Sequence, residues 1–422
     1  MYRLPRGTSD IFGANIEKWH WMEEKVREIT RTFNYREMRT PIFEHSELFA
    51  RSVGETTDIV EKEMYTFTDR GKRSLSLRPE GTAGIVRSYV EHKLYADPQP
   101  TKLYYLGPMF RYENPQAGRT RQFHQFGAEA FGSLDPALDA EVISLGMSFF
   151  ASLGLQNVVV QINSVGDAES RPRYRQRLID YFTPYEQQLS AIDRSRLHRN
   201  PLRILDSKDP ATRELLTEVP SILNSLSKEA AEHFELLQQY LSDLSIQYVV
   251  DPLLVRGLDY YTLTAFEFYT EIEGAQAGTI GGGGRYNQLV GEIGGPDMPG
   301  IGFALGLERV MLACEKQSCG PTDHAGIDCY LITFDHQTKK AAVSLLQRLR
   351  QAGLTAEVDY LGRKMKAQLK AADRLQAKFA LIIGEEELAA EKVAVKNLQD
   401  GQQIMIGLEQ VIHYVKEQRS VI

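Results

Sequence analysis

The stretch Leu254–Tyr269 reads LVRGLDYYTLTAFEFY, and we expect the rest of the fold to be organised around it. Its aromatic, threonine and aliphatic residues favour a β-strand, and the glycine quartet Gly281–Gly284 follows soon after. A strand made only for packing has no use for Arg256 near its start, with Tyr260 and Tyr261 close behind. A cation beside a glycine-rich region indicates an anionic ligand, although an arginine at a strand end is more often solvated or ion-paired.

Composition places the chain among ordinary globular proteins. Its 422 residues have room for about three domains, and 42% hydrophobic with 25% charged residues are typical values. No apolar run approaches the roughly 18 residues of a membrane helix, and the first residues lack the apolar core of a signal peptide. Cys314, Cys319 and Cys329 are too few for a disulfide framework. These absences suggest a cytoplasmic protein without membrane contact.

Net charge limits how a nucleic acid could bind. The formal charge is −7, so the surface as a whole does not attract polyanions. Any such partner must therefore contact local basic patches.

The first 94 residues predict two helices with extended segments between them. Apolar residues at three- and four-residue intervals indicate an amphipathic helix over residues 15–33. Tyr35–Phe43 is expected to be an extended edge strand, or a strand at a subunit interface, because it contains Pro41. A short strand, Ser74–Leu77, precedes a turn that opens a helix running to about Leu94.

Glu80 and Thr82 fall near the start of that second helix. An acidic side chain in a first helical turn is favoured by the helix dipole alone. A functional role for the pair is the open alternative.

A β-hairpin is predicted over residues 103–131. Two strands, Leu103–Glu113 and Arg121–Phe131, flank the loop sequence NPQAGRT. Successive side chains of a strand point to opposite faces, so Phe123, Gln125 and Glu129 share one face of the returning strand. This face contains no lysine, which favours a binding site, yet a solvated face could have the same composition.

Residues 166–246 have a helical, polar texture rich in arginine. The arginines at 171, 173, 175, 177, 194, 196, 199 and 203 form a candidate phosphate-contacting surface. The alternative is a helical insertion with a solvated face.

Pro299–Glu315 predicts a strand, a glycine turn and a helix. Gly300, Gly302 and Gly306 do not fit the dinucleotide-binding spacing, and the chain has no P-loop motif. The start of the helix, at Glu308 and Arg309, would favour phosphate because its N–H groups are free.

After a linker over 317–326, the chain predicts a compact α/β domain of about 95 residues. Asp400-Gly401 indicates a hairpin between its last two strands. Its second helix, over 363–376, is basic and carries Lys366 and Lys370. Such a helix is often only solvated, but it is the strongest candidate for nucleic-acid contact in this domain.

With these motifs in view, the chain resembles the histidyl-tRNA synthetase family of class II aminoacyl-tRNA synthetases over nearly its whole length. The segment ending at Pro41 is similar to motif 1, Phe110–Glu113 with its hairpin to motif 2, and Gly302–Arg309 to motif 3. Leu254–Tyr261 (LVRGLDYY) and Gly281–Tyr286 (GGGGRY) resemble the histidine-specific elements, which are more selective than the class motifs.

The resemblance implies an α+β fold in which a class II catalytic core on an antiparallel sheet carries a helical insertion, followed by a C-terminal α/β anticodon-binding domain. The corresponding domain limits are 1–325, with the insertion at 166–248, and 326–422. It implies a homodimer that acts on ATP, L-histidine and tRNA(His), with Mg²⁺ bridging the phosphates through ligands that the sequence does not identify.

The implied chemistry needs no protein nucleophile, because the histidine carboxylate attacks the α-phosphate directly. Catalysis then depends on positioning and charge neutralisation. The resemblance assigns catalysis to Arg111, Arg256 and Arg309; histidine binding to Glu80, Gly81, Thr82, Arg111, Gln125, Glu129, Arg256, Tyr260, Tyr261 and Tyr286; ATP binding to Arg111, Glu113, Arg119, Phe123 and Arg309; and tRNA contact to Gln116, Arg119, Lys366 and Lys370.

Two relatives with other functions are the alternatives. One is the synthetase-like regulatory subunit of ATP phosphoribosyltransferase, which typically lacks the anticodon-like domain and the catalytic arginines that this chain has. The other is a paralogue that activates histidine but charges no tRNA.

Overall fold

The computed structural model describes residues 2–54, 57, 59–255, 260–270, 278–321 and 326–419. Arg256 therefore lies outside the described residues. The chain forms two compact units, Met1–Pro321 and Thr322–Ile422. None of the described helices is both long and apolar enough to cross a membrane.

The first part of the larger unit combines an amphipathic helix with a small antiparallel sheet in the order β2-β4-β3. Its elements are α1 (Ala14–Thr32), β1 (Arg36–Glu37), β2 (Phe43–His45), α2 (Ser46–Val53), β3 (Thr66–Thr68), β4 (Ser74–Leu77) and α3 (Thr82–Glu91), with a π-helical turn at Ile59–Glu63.

The single strand predicted for Tyr35–Phe43 is wrong. Pro41 separates β1 from β2, and the two short strands belong to different sheets. Proline cannot donate a backbone hydrogen bond, which explains the break. Both strands lie at sheet edges, as a proline-containing segment requires.

The middle of this unit contains the predicted hairpin and a helical region. The elements are β5 (Thr101–Phe110), β6 (Gln122–Phe131), α4 (Pro136–Ser152), β7 (Val159–Ser164), α5 (Ser170–Phe182), α6 (Ala191–Arg199), α7 (Pro210–Leu215), α8 (Lys228–Asp243) and β8 (Tyr248–Val250), with 3₁₀ turns at Leu94–Ala96, Thr183–Gln188, Pro201–Ile204, Leu216–Glu218 and Ile222–Ser225.

The last part completes the large sheet with β9 (Thr262–Tyr269), β10 (Thr279–Arg285), α9 (Leu289–Glu292), β11 (Gly300–Gly306) and α10 (Leu307–Lys316). The strand that we expected to start at Leu254 begins only at Thr262. Asn163 accounts for part of the difference, because its amide donates to the carbonyls of Pro252 and Leu254, which a strand ladder would otherwise use.

Eight strands form the large sheet in the order β1-β5-β6-β11-β10-β9-β7-β8. The six central strands are antiparallel, whereas β1 and β8 pair in parallel at the two edges. The predicted antiparallel core is therefore confirmed for the centre of the sheet.

The alternation predicted for β6 decides which face of the sheet is core. Phe126, Ala128 and Ala130 are fully buried with residues of α1, α4 and α8 in one apolar cluster. The Phe126 ring meets that of Phe303 on β11 edge-on, with centroids 5.3 Å apart. Buried aromatic side chains dominate core energetics, so this face anchors the sheet and the opposite face is left for other uses.

The smaller unit is an open α/β sheet of order β13-β12-β14-β15-β16. Its first three strands in this order are parallel, and β15 and β16 form the predicted antiparallel hairpin. Its elements are β12 (Cys329–Thr333), α11 (His336–Gln351), β13 (Ala356–Val358), α12 (Met365–Arg374), β14 (Phe379–Ile383), α13 (Glu385–Ala389), β15 (Lys392–Asn397), β16 (Gln403–Gly407) and α14 (Val411–Arg419).

Candidate active site

A pocket of about 460 Å³ lies over the centre of the large sheet, on the face opposite the aromatic core. Strands β6, β9, β10 and β11 all contribute to its walls. Of the residues predicted from the sequence, the structure brings together Glu80, Thr82, Arg111, Glu113, Arg119, Phe123, Gln125, Glu129, Tyr260, Tyr261, Tyr286 and Arg309 in its lining.

Glu129 is the buried acid of this pocket, with 1% of its surface exposed. The hydroxyl of Thr82 donates to Oε1 at 2.6 Å, and the hydroxyl of Tyr286 donates to Oε2. Burial raises the pKa of Glu129 to about 8, although these hydroxyl donors lower it and the nearby Glu80 raises it further. A buried carboxyl with a raised pKa is a candidate ligand-binding group, because a donor or cation from a ligand would stabilise its ionised form.

Glu80 caps helix α3 from inside the pocket. Its Oε2 accepts the N–H of Thr82 at 2.7 Å, and its Oε1 accepts that of Ala83 at 2.8 Å. Burial raises the pKa of Glu80, against the effect of these hydrogen bonds. The favourable interaction with the start of the helix, which was considered from the sequence, is therefore present, and the same carboxyl lines the pocket.

Three tyrosine rings close this buried end. The centroids of Tyr260 and Tyr261 are 4.6 Å apart, and those of Tyr260 and Tyr286 are 5.6 Å apart. Burial raises the pKa of Tyr260 and Tyr286 well above its ordinary value. Both phenols therefore stay protonated and can donate hydrogen bonds.

The side chain of Gln125 offers a hydrogen-bond acceptor to the pocket. Its Oε1 is buried and has no hydrogen-bond partner among the described residues. A buried acceptor without a donor costs free energy, so this amide is suited to receiving a donor from a ligand.

Sequence reasoning missed Tyr105, which lies beneath the buried end of the pocket, against Gly81 and Gly127. Its ring occupies the space where a Cβ on Gly127 or on Gly81 would be, 2.2 Å from the nearest ring atom in each case. Glycine is required at both positions because of this close approach. Strand alternation could have identified the tyrosine, since Tyr105 pairs with Gly127 and lies two residues from Gly107, which pairs with Gln125.

The other end of the pocket is cationic and more open. The Arg111 guanidinium lies 5.2 Å from the centroid of Phe123, and its Nε donates to the carbonyl of Pro79 at 2.8 Å. Arg119 lies 3.7 Å from Glu113. Burial lowers the pKa of Arg309, and the positive charge of Arg119 lowers it further. Cations crowded in this way favour an anionic ligand.

Three further residues at this end were not predicted. Glu267 on β9 accepts from the Thr279 hydroxyl at 3.0 Å, and Asp206 and Lys208 reach the pocket from the helical region. Burial raises the pKa of Asp206, and Lys208 lowers it. The sequence gives no local signal for them, because only the tertiary fold places residues 206–208 beside β9.

Metal ligands at this end would be carboxylates. Glu113, Asp206 and Glu267 all line the pocket, but no group of three or more His, Cys, Asp or Glu side chains in the described ranges could hold a metal ion by itself. The donor set fits Mg²⁺, which is usually bound by one or two carboxylates together with substrate phosphates.

The remaining predicted site residues lie elsewhere. Gly81 packs against Tyr105, and Gln116 forms an isolated backbone bridge with Arg119 in the hairpin loop. Lys366 and Lys370 are exposed on α12 of the smaller unit.

The arginine-rich region bonds largely to itself. Arg175 donates to the carbonyl of His198 at 2.8 Å, Arg177 to that of Asn224 at 3.1 Å, and Arg194 to that of Glu186 at 3.1 Å. These guanidinium groups therefore connect the helical segments to one another. This arrangement is closer to the alternative of a helical insertion than to a continuous phosphate-contacting surface.

Comparison with known proteins agrees with this geometry. The family model described as histidyl-tRNA synthetase matches residues 7–310, and the anticodon binding domain model matches residues 328–418. The histidine–tRNA ligase of Bacillus subtilis is 54% identical over 417 residues, covering 98% of each chain, and that of Halalkalibacterium halodurans is 54% identical over 418 residues, covering 99% of this chain and 98% of the relative.

Among solved structures, the apo histidyl-tRNA synthetase of S. aureus superposes with a TM-score of 0.85 at 43% identity, covering 99% of this chain and 100% of that one. Sequence identity at this level over the full length, together with the two matching family models, decides the assignment. The chain belongs to the histidyl-tRNA synthetase family.

Proposed function

We infer that this chain is an ATP-dependent histidine–tRNA ligase, which activates L-histidine as histidyl-adenylate and transfers the histidyl group to the 3' end of tRNA(His). One observation carries the inference: a single pocket joins a buried carboxyl, Glu129, to a cluster of guanidinium groups at its other end. The full-length relatives at 54% identity support the same activity.

We propose that the buried end binds histidine. Glu129 accepts a hydrogen bond from one imidazole nitrogen and Tyr261 donates to the other, with Tyr260 and Tyr286 packed beside them. A neutral imidazole offers one donor and one acceptor, so a carboxylate and a phenol satisfy both. The α-ammonium group is received by Glu80, Thr82 and Gln125, next to Gly81; the unpartnered Oε1 of Gln125 supports this assignment.

Such a site rejects apolar amino acids without a separate editing domain. An apolar side chain would leave the Glu129 carboxyl and the tyrosine hydroxyls without partners. The resulting discrimination reaches about 10⁴–10⁵-fold when a site is built to hydrogen-bond a polar group.

We propose that the cationic end binds ATP. Phe123 stacks on the adenine, and Arg111 contacts the α-phosphate and the histidine carboxylate, where Arg256 joins it. Arg309 contacts the outer phosphates, with Arg119 and Glu113 beside it. The presence of Arg111, Arg119 and Arg309 in one pocket lining supports this arrangement.

Mg²⁺ would neutralise the phosphate charge when ATP is bound. Glu267, Glu113 and Asp206 are the carboxylates that could contact it, because they line the pocket near Arg309.

The reaction then needs no side-chain nucleophile. A carboxylate oxygen of histidine attacks the α-phosphorus, the bond to the bridging oxygen of pyrophosphate breaks, and pyrophosphate leaves with the electron pair. Arg111, Arg256 and Arg309 stabilise the negative charge that develops, which is the kind of contribution that fixed cations make in a dry site. In the second step, a ribose hydroxyl of tRNA attacks the histidyl carbonyl and AMP leaves.

We propose that residues 326–422 contact the tRNA anticodon region through α12, where Lys366 and Lys370 are exposed. Gln116 and Arg119 in the hairpin loop would contact the acceptor end. The catalytic domain spans 1–325 with its insertion at 166–248. The protein acts as a cytoplasmic homodimer, as the family resemblance implies.

Two assays test the function. Purified protein should exchange pyrophosphate into ATP only when histidine is present, and it should charge tRNA(His). Absence of histidine-dependent exchange would favour the regulatory relative, whereas exchange without charging would favour the paralogue that ignores tRNA.

The tRNA contact has its own test. Replacing Lys366 and Lys370 together by alanine should weaken charging while leaving exchange unchanged. The matched control replaces Lys340 and Lys392, which are also exposed in the same unit. Equal losses in both double variants would remove α12 from the tRNA interface.

A further inference from the structure

The two tyrosines of the histidine end directly precede an irregular strand, β9. Register between β9 and β10 shifts so that Gly284 pairs with Ala265 while Arg285 pairs with Thr262. Leu263 and Thr264 therefore form a bulge, and Leu263 has a left-handed φ of 53°. Bulges next to active sites bend a strand and change the direction of its neighbouring side chains, here those of Tyr260 and Tyr261.

A left-handed leucine persists only where its surroundings determine it. The carbonyl of Gly166 accepts the N–H of Leu263 at 2.9 Å, and the N–H of Val165 donates to the carbonyl of Leu263 at 2.7 Å. Both partners belong to the β7–α5 turn. We define this turn as residues 163–171, so that it includes the end of β7 and the start of α5. This turn therefore fixes the bulge from the β7 side of β9, opposite to β10.

The same turn fixes the chain on both sides of residues 256–259, which lie outside the described residues. Upstream, the fully buried amide of Asn163 donates to the carbonyl of Leu254 at 3.0 Å. Downstream, the Arg171 guanidinium donates to the carbonyl of Tyr261 at 3.1 Å. Hydrogen bonds from a charged donor are among the stronger ones in proteins.

The turn is itself held together by side-chain hydrogen bonds. Asp167 accepts the N–H and the hydroxyl of Ser170 through Oδ1, at 2.7 and 2.6 Å, and the Ser227 hydroxyl through Oδ2 at 2.5 Å. Gly166 has a φ of 72°, and a Cβ there would lie 2.8 Å from the Cβ of Ser170. The start of α5 and the turn therefore form one connected unit.

We propose that the β7–α5 turn is the positioning element of the histidine end, with Arg171 and Asn163 as positioning residues for Tyr260 and Tyr261. Neither residue lines the pocket. The affinity for histidine then depends on Arg171, an arginine of the proposed insertion that does not contact histidine. The inference rests on the proposed function of the site.

The test compares Michaelis constants in histidine-dependent ATP–pyrophosphate exchange. Arg171→Met keeps the aliphatic stem but loses the donor, so the KM for histidine should rise about tenfold. The KM for ATP should stay unchanged, while the melting temperature falls slightly because the hydrogen bond to Tyr261 is lost. Arg171→Lys, which keeps a cationic donor, should recover part of the affinity. Arg173→Met is the control, because Arg173 is exposed on the same helix and pairs only weakly with Glu169, at 3.2 Å.

A second variant addresses the buried position. Asn163→Asp keeps the shape of the side chain but replaces the N–H donor by an acceptor, so the KM for histidine should rise in the same selective way. The proposal is overturned if Arg171→Met behaves like Arg173→Met, or if the KM values for ATP and histidine rise by the same factor. Failure of the wild-type protein to exchange with histidine would instead overturn the proposed function, and this inference with it.

Discussion

The two ends of the pocket differ in how far other protein groups already bind the polar and charged side chains there. At the histidine end, Glu129 is buried and both of its oxygens accept hydroxyl donors. At the phosphate end, Arg111, Arg119 and Arg309 are only partly buried, and Arg119 pairs with Glu113 at a loose 3.7 Å. We therefore expect the first end to select by desolvation and fixed geometry, and the second to attract by charge and to be completed by the nucleotide.

The largest effect should come from the phosphate end. Arg309→Ala should lower the rate of ATP–pyrophosphate exchange about 10²–10³-fold, the scale of losing one contact to developing charge. The control is Arg73→Ala, an exposed arginine paired with Asp69 away from the pocket. Near-normal exchange in Arg309→Ala would remove that arginine from the chemistry.

Crowding the histidine end should have the next largest effect. A Cβ on Gly302 would lie 1.7 Å from Oε2 of Glu129 and 2.5 Å from the carbonyl oxygen of Ala128, so Gly302→Ala must displace the carboxyl and shift the neighbouring backbone of β6. We expect the kcat/KM for histidine to fall about tenfold or more, since a misplaced buried hydrogen bond costs on that scale. Gly291→Ala is the matched control, because nothing lies within 4 Å of a Cβ there. Equal behaviour of the two variants would show that Glu129 tolerates displacement.

Stability against pH should report the burial of Glu129. Its pKa is raised from 4.5 to about 8 in the folded protein, so the folded state favours the protonated form. The stabilisation from this group is present in full below pH 4.5 and is lost as the pH rises through about 8. Without ligands, the melting temperature of the wild type should therefore fall more between pH 5 and 8.5 than that of Glu129→Gln. Parallel curves would contradict the raised pKa.

Added salt should give the smallest effect. It should change the KM for ATP more than the KM for histidine, and so distinguish the two ends of the pocket. Screening shortens the reach of exposed charges from about 10 Å at 0.1 M salt to about 3 Å at 1 M. The KM for ATP should rise a few-fold between these concentrations, whereas the KM for histidine should change less than about twofold. Equal salt dependence of both constants would mean that the ends do not differ in exposure to solvent.

The central sheet could be predicted from the sequence because its signals are local. Alternation along residues 121–131 separated Phe123, Gln125 and Glu129 from the core residues Phe126 and Ala128, and the structure has this division. The hairpin at Asp400-Gly401 and the strand–turn–helix at 299–315 are also determined by neighbouring residues.

What could not be predicted depends on contacts between distant residues. Tyr105 fits under the pocket only because Gly81 and Gly127, both remote in sequence, leave room for its ring. Lys208 reaches the cationic end of the pocket because the fold places residues 206–208 beside Glu267 of β9. The late start of β9 also depends on a tertiary contact. The side-chain amide of Asn163 on β7 donates to the carbonyls of Pro252 and Leu254, which a longer strand would have used.

The most direct test of this account is the pH dependence of kcat/KM for histidine, measured by ATP–pyrophosphate exchange in the wild type and in Glu129→Gln. The ionised Glu129 carboxylate is the stronger acceptor for the imidazole N–H, so the wild-type value should rise as the pH approaches about 8, beyond the rise at about pH 6.5 that titration of the substrate imidazole gives to both proteins. Glu129→Gln should be at least about tenfold lower and lack the rise towards the higher pH, with its KM for ATP unchanged. Identical values and profiles in the two proteins would contradict the assignment of the buried carboxyl to histidine recognition.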